Sequence, residues 1–181
     1  MSTPPERTAQ PAAADPAGTP AAAPQLAMLA SLGEQAAAID RLVELARTSI
    51  RVFDGDLSQM GWNAAARCER LAAFLRGSRH AKLDIIVHDT RWLEGSCPRL
   101  IVLLRQHAHA TTIYRTGAEA RAAADPLVLV DDRHFLHRFH LDRPRAALGI
   151  DAPLDARPLV NRFEEIWATG EPGLTATTLG L

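Results

Sequence analysis

The run DPLVLVDDRHFLHRFH, Asp125 to His140, narrows the fold more than any other stretch of the chain. Four apolar residues, Leu127 to Val130, meet a run of alternating aromatic, aliphatic and basic residues across three polar ones, Asp131, Asp132 and Arg133. Two β-rich runs joined so tightly predict a hairpin. Successive side chains on a strand point to opposite faces. Phe135, His137 and Phe139 therefore share one face of the second strand, and His134, Leu136, Arg138 and His140 the other. The first face reads as core, and the second, with two imidazoles and a guanidinium, as a surface turned towards a ligand.

Around the hairpin the hydrophobic period switches between helix and strand. Ser31 and Glu34 have capping-box spacing, and Ile39, Leu42, Val43 and Ala46 follow on one helical face, so a helix is predicted over 33–48. The β-branched and aromatic run 49–53 predicts a strand that ends in Asp54-Gly55-Asp56. Helical period returns over 63–76, with Cys68, Leu71, Ala72 and Leu75 inward and Arg67, Glu69, Arg70 and Arg76 mostly outward. Residues 82–87 predict a second strand running into His88, Asp89, Thr90, Arg91 and Trp92. A helix capped by Ser96 or Cys97 follows, with Pro98 in its first turn, and then a strand over 111–115. Residues 117–124 predict a turn or two of helix and 142–152 a loop. Asp155 opens a last helix in which Leu159, Phe163, Ile166 and Trp167 share a face.

These elements alternate as in an α/β domain with a mixed, roughly five-stranded sheet and helices on both faces. The ordered domain is expected over 25–170. Residues 1–24 hold six of the twelve prolines and almost no large apolar side chain, the composition of a disordered tail, and 171–181 read as a loose C-terminus. With 47% apolar residues in 181, one core is enough to bury roughly 70% of the unfolded surface. Twenty basic residues against 21 acidic ones do not support general binding to nucleic acid through net charge. Every basic residue but Lys82 is arginine, which excludes a mechanism that needs a lysine elsewhere and suggests a GC-rich bacterial genome. Cys68 and Cys97 have no metal-ligand or disulfide spacing and fit a cytoplasmic setting. No apolar run approaches the length of a membrane span, and no signal peptide is expected.

In open α/β sheets, ligands bind beside the carboxyl ends of strands. That rule selects Asp54 and Asp56 after the first strand, and His88, Asp89, Arg91 and Trp92 after the second. His134, Arg138 and His140 join them as candidates from the hairpin. His134 and His140 lie about 20 Å apart on an extended strand, too far to share one metal ion. Neither a metal nor a cofactor is expected.

The order helix, RTSIRVFDGDL, helix, HAKLDIIVHDTR, helix, TTIYR, PLVLVDDRHFLHRF and a closing helix ending RFEEIWATG resembles one half of the phospholipase D superfamily, over residues 34–169. The resemblance implies a hairpin carrying H-x-K-x-x-x-x-D. In that motif the histidine attacks phosphorus, the lysine holds the phosphate, and two halves complete each active site. If Asp132 takes the place of the motif's aspartate, the other two positions are Asp125 and Leu127; if Asp131 does, they are Ala124 and Pro126. Neither register holds a nucleophile or a lysine. His80-Ala81-Lys82 imitates the start of the motif, but position 87 is Val and Asp89 falls two residues late, a displacement of roughly 7 Å on a strand.

No catalytic residue is therefore assigned. The resemblance leads to a non-catalytic module, a homodimer by analogy, that binds a partner protein or a phosphate-bearing ligand. The alternative is a divergent phosphodiesterase or nuclease that uses His88, His134 or His140.

Overall fold

The capping box forms as the sequence predicts. Ser31 Oγ accepts from the Glu34 N–H at 3.2 Å, while the Glu34 carboxylate accepts from the Ser31 N–H at 2.9 Å and opens α1, Leu32–Leu45. The computed structural model describes residues 23–174, so the expected tail lies almost wholly outside the described residues. In chain order the further elements are β1 (Gln25–Leu29), which precedes α1, then β2 (Ser49–Asp54), α2 (Ala65–Gly77) and β3 (Lys82–Val87). They are followed by α3 (Arg91–Ser96), α4 (Pro98–Gln106), β4 (Thr111–Arg115), β5 (Leu127–Val130) and β6 (His134–His140). The chain closes with β7 (Arg143–Ile150), α5 (Pro153–Ala168) and β8 (Glu171–Leu174).

The strands form one mixed sheet of eight, in the order β1-β7-β6-β5-β2-β3-β4-β8, with β2, β3 and β4 parallel and their neighbours antiparallel. The five predicted strands are its contiguous centre, and three more, where the residue pattern predicts loop or terminus, flank them. β7 replaces the loop expected over 142–152. It is held because β6 needs a partner on its second edge: Phe135, Leu136, His137 and Arg138 pair with Gly149, Leu148, Ala147 and Ala146. Phe135 lies flat against Gly149, where a Cβ would collide with the aromatic ring. The loop expected after β3 contains the short helix α3, which the sequence reading also lacks.

Helices cover both faces. On one side α1, α2 and α4 pack Ile39, Leu42, Leu71, Leu100 and Leu104 against Ile50, Val52, Leu83, Ile85 and Leu136. On the other, α5 packs Phe163 and Ile166 against Phe53, Ile86, Leu127, Leu129 and Phe135. The alternation predicted for β6 holds, but its consequence does not: helices cover both faces over the first half of the strand, while on the face expected to be core His137 is half-buried and Phe139 exposed. His134, Leu136 and Arg138 are buried beneath α1, and Phe135 beneath α5. Arg67, expected outward, is buried with its guanidinium spread over Trp62. It donates to Asp40, Ala36 and Met60. No helix among the described residues is long and apolar enough to cross a membrane.

Candidate functional site

The turn between β5 and β6 shows which of two neighbouring aspartates is built into the fold. Asp131 and Asp132 both take left-handed backbone angles, φ 52° and 55°, and the Arg133 N–H closes the turn on the Val130 carbonyl at 3.2 Å. Asp131 turns its carboxylate into the chain between α1 and β2. It accepts from the backbone N–H of Arg47, Thr48 and Ser49 and from the Thr48 hydroxyl, each at 2.8 Å. Burial alone would raise its pKa, but these donors outweigh that effect and lower it. Asp132 is exposed and, among the described residues, pairs only with Arg51.

The carboxyl ends of β2 and β3 bring together the residues selected by the strand-end rule. Asp54 is buried, which pushes its carboxyl up to about 6, against the opposing pull of the Gly55 and Asp56 N–H groups. Asp56 accepts from the Ser58 N–H at 2.9 Å and shapes the turn. The Gly55 carbonyl takes the N–H groups of His88 and Asp89 at 2.9 and 3.0 Å, tying the two loops to each other. His88 has both ring nitrogens engaged: Nε2 lies 2.7 Å from the Ala123 carbonyl and Nδ1 2.7 Å from Thr116 Oγ1. Since a carbonyl only accepts, Nε2 carries the proton and Nδ1 accepts from the threonine. Asp89 is held down to about 2 by the hydrogen bonds of the Arg91 side chain and N–H, while Arg91 itself extends into solvent. Trp92 packs its ring partly into the core.

The hairpin candidates do not join this group as one site. Arg138 is buried and its guanidinium is spent, with Nε on the Arg143 carbonyl at 2.9 Å and the terminal nitrogens on Gln59 and the Leu141 carbonyl. It reaches the strand ends only as a charge near Asp54. His134 pairs with Val130, which pairs with Ile50, and so sits at the opposite end of β2 from Asp54. Its Nδ1 accepts from the Asp151 N–H at 2.9 Å, and burial lowers its pKa. His140 lies beyond a register shift in β6, exposed, with Nδ1 accepting from the Asp142 N–H at 3.1 Å. Among the described residues no three His, Cys, Asp or Glu side chains are placed to hold a metal ion. The motif-like Lys82 donates to the His109 carbonyl at the amino end of β3, away from the strand ends that hold Asp54 and His88.

One cluster at the strand ends has no counterpart in the sequence reading. Arg162 on α5 grips Asp125, just before β5, through Nη2 at 3.2 Å and Nε at 3.3 Å. His137 Nε2 stands 3.8 Å from the same carboxylate, beyond hydrogen-bond distance, and has no other hydrogen-bond partner among the described residues. Burial alone would raise Asp125, but His137 and Arg162 hold it down to about 2. At these distances Arg162 is the principal cause. Three separate elements contribute to this cluster, so local spacing carries no trace of it.

Sheet order, covering helices and hairpin define the class as a mixed α/β fold, and its likeness to solved phospholipase D family structures is one of fold. The chain superposes on Nuc, a phospholipase D family member from Salmonella typhimurium, with a TM-score of 0.57 at 15% identity, over 84% of this chain and 100% of that one. For NucT from Helicobacter pylori the TM-score is 0.52 at 12% identity, over 83% and 100%. TrmBL2, an archaeal chromatin protein whose structure shows a novel mode of DNA binding, gives 0.61 at 10% identity over 82% of this chain. This chain spans 54% of TrmBL2. By sequence, it belongs to the family described as a domain of unknown function, DUF7931, whose model matches residues 31–177. The search of curated proteins found no match.

Proposed function

We propose that this chain is a non-catalytic phospholipase D-like module that acts by binding a phosphate-bearing ligand, nucleic acid included. The observation that carries this reading is the content of the motif positions on a retained framework. With Asp131 as the built-in aspartate, the nucleophile and lysine positions fall on Ala124 and Pro126; with Asp132, they fall on Asp125 and Leu127. Leu127 is core, and Asp125 is occupied by Arg162. A carboxylate at the nucleophile's place would also repel a phosphodiester, at a cost of several kcal/mol for like charges a few Å apart in a partly dry site. The framework itself supports ligand binding, because its structural neighbours include a phospholipase D family member and a DNA-binding chromatin protein. Arg138, buried and spent on protein acceptors, is replaced as the phosphate-holding candidate by the exposed Arg91. A homodimer with equivalent hairpins near a twofold axis is part of the same proposal. Sedimentation at high micromolar protein would show a single chain if it is wrong.

The competing reading, a divergent phosphodiesterase, shifts from the predicted histidines to His137. His88 has no free nitrogen, and His134 is buried at the far end of the sheet. Of these histidines, His137 is the one that faces the half-buried carboxylate of Asp125, which is held down to about 2. The test is incubation with a chromogenic phosphodiester and with single-stranded DNA, alongside His137→Gln and a His134→Ala, His140→Ala double variant. Binding of DNA without turnover is expected. Turnover lost in either variant would overturn the non-catalytic reading and assign the chemistry to His137 or to the His134 and His140 pair.

A further inference from the structure

The chain from Gly55 to Ala64, between β2 and α2, is folded inward rather than out into solvent. Leu57 and Trp62 are fully buried and Met60 nearly so. Leu57 and Met60 hold left-handed backbone angles, φ 65° and 63°, which are strained for non-glycine residues and persist only where the surroundings enforce them. The surroundings here are two buried arginines: Arg67 donates to the Met60 carbonyl and Arg138 to the Gln59 side chain. Cys68 Sγ adds a contact to the Trp62 carbonyl at 3.6 Å.

Beneath this segment is a void lined by Ile39, Phe53, Asp54, Trp62, Leu136 and Arg138, with room for about one water molecule. The void is not purely apolar. Trp62 Nε1–H is buried and has no acceptor among the described residues, although a buried indole N–H normally finds one. Asp54 lines the same void. The Gly55 N–H engages its Oδ1 and the Asp56 N–H also donates to the carboxylate, which keeps further lone pairs. A donor without an acceptor and an acceptor with spare capacity, on residues that line one water-sized space, are the conditions under which buried water binds.

The geometry points to a buried water site between Trp62 and Asp54, in which one water accepts the Trp62 Nε1–H and donates to the Asp54 carboxylate, so that protonation of Asp54 is transmitted to the 55–62 segment. The charged groups facing Asp54 are Asp56 on its own loop and Arg138 on β6, with Asp142 behind Arg138. From β3, His88 approaches only through its backbone and an edge contact with Phe53, its nitrogens being engaged elsewhere. Burial raises Asp54 to about 6, where modest acidification changes its charge. Its neighbour Gly55 also anchors His88 and Asp89. The proton-sensitive carboxyl therefore lies at the base of the loops that form the strand-end site, whatever ligand that site takes.

The test follows the three indole N–H resonances, from Trp62, Trp92 and Trp167, between pH 5 and 8 in 15N-labelled full-length protein, with Trp62→Phe used only to assign the Trp62 signal. The Trp62 signal is expected to move with a midpoint near 6, to show a cross-peak to a long-lived water, and to stay still in Asp54→Asn. The Asp54 side-chain carboxyl carbon, followed in the wild type, provides the same midpoint without any substitution. An indole signal that ignores pH, that still titrates in Asp54→Asn, or that lacks the water cross-peak would overturn the proposal.

Discussion

Asp131→Asn is the substitution that best tests whether the hairpin turn is tied to the rest of the fold by a charge. Asparagine keeps the size of aspartate and tolerates the left-handed backbone, so the change isolates the carboxylate. Oδ1 accepts three of the four hydrogen bonds, from Thr48 N–H, Thr48 Oγ1 and Ser49 N–H, and an amide oxygen can retain them in neutral form. Oδ2 accepts the Arg47 N–H, and an amide NH2 there would set donor against donor. Losing one charge-assisted bond, and the charge from three more, should cost about 2–3 kcal/mol. For a domain of this size that is a fall in melting temperature of about 5–10 °C. Urea unfolding at pH 7, followed by circular dichroism, is the assay, and Asp132→Asn is the comparison. Asp132 is exposed with a single ion pair, so its loss should cost under about 1 kcal/mol. The pH dependence has a defined sign. Because the folded pKa of Asp131 is lowered, its contribution is fully present above the unfolded value near 3.9 and is lost as pH falls through the folded value. Equal stabilities for the two variants at pH 7 would refute the argument.

Asp54 should act in the opposite sense. Its folded carboxyl titrates near 6 instead of 3.8, so folding takes up a proton between those values and wild-type stability falls as pH rises through that window, by up to ~3 kcal/mol. Asp54→Asn is accordingly expected to unfold at higher urea than wild type at pH 8 and to lose most of that advantage at pH 4; a variant less stable than wild type at pH 8 would show that the ionised form is held more strongly than burial opposes it, and would refute the argument. Gly149→Ala should cost about 1–3 kcal/mol by forcing the Phe135 ring away from β7, and an unchanged urea midpoint would mean that β7 does not pack against β6 as described. Ser31→Ala removes one half of the capping box and should cost ~1 kcal/mol, read from the same curves.

The elements that sequence alone determined are those whose signal is local. Ser31 and Glu34 cap α1 through bonds spanning three residues, and the apolar period of α1, α2 and α5 predicts which side of each helix is buried. The central strands β2 to β6 are rich in Ile, Val, Leu, Phe and Tyr, and the tight turn at Asp131 pairs two of them without long-range information. The strand-end rule also located Asp54, His88 and Asp89 near one another, because parallel strands in register bring their carboxyl ends together. Tertiary structure decided the rest. Nothing in QLAML, RPRAALGI or EPGL favours a strand by composition; β7 and β8 exist because the edges of β6 and β4 offer unpaired backbone groups, β1 because β7 in turn offers its own, and pairing overrides propensity. Arg138 and His134 are buried because distant segments close over the face of β6, Gln59 and Leu141 on Arg138 and Asp151 on His134. Asp125, His137 and Arg162 come from three elements far apart in the chain, and their meeting depends on how α5 lies across β5 and β6. Period and spacing record which side of an element is apolar, but the neighbour that covers the other side is set by long-range packing.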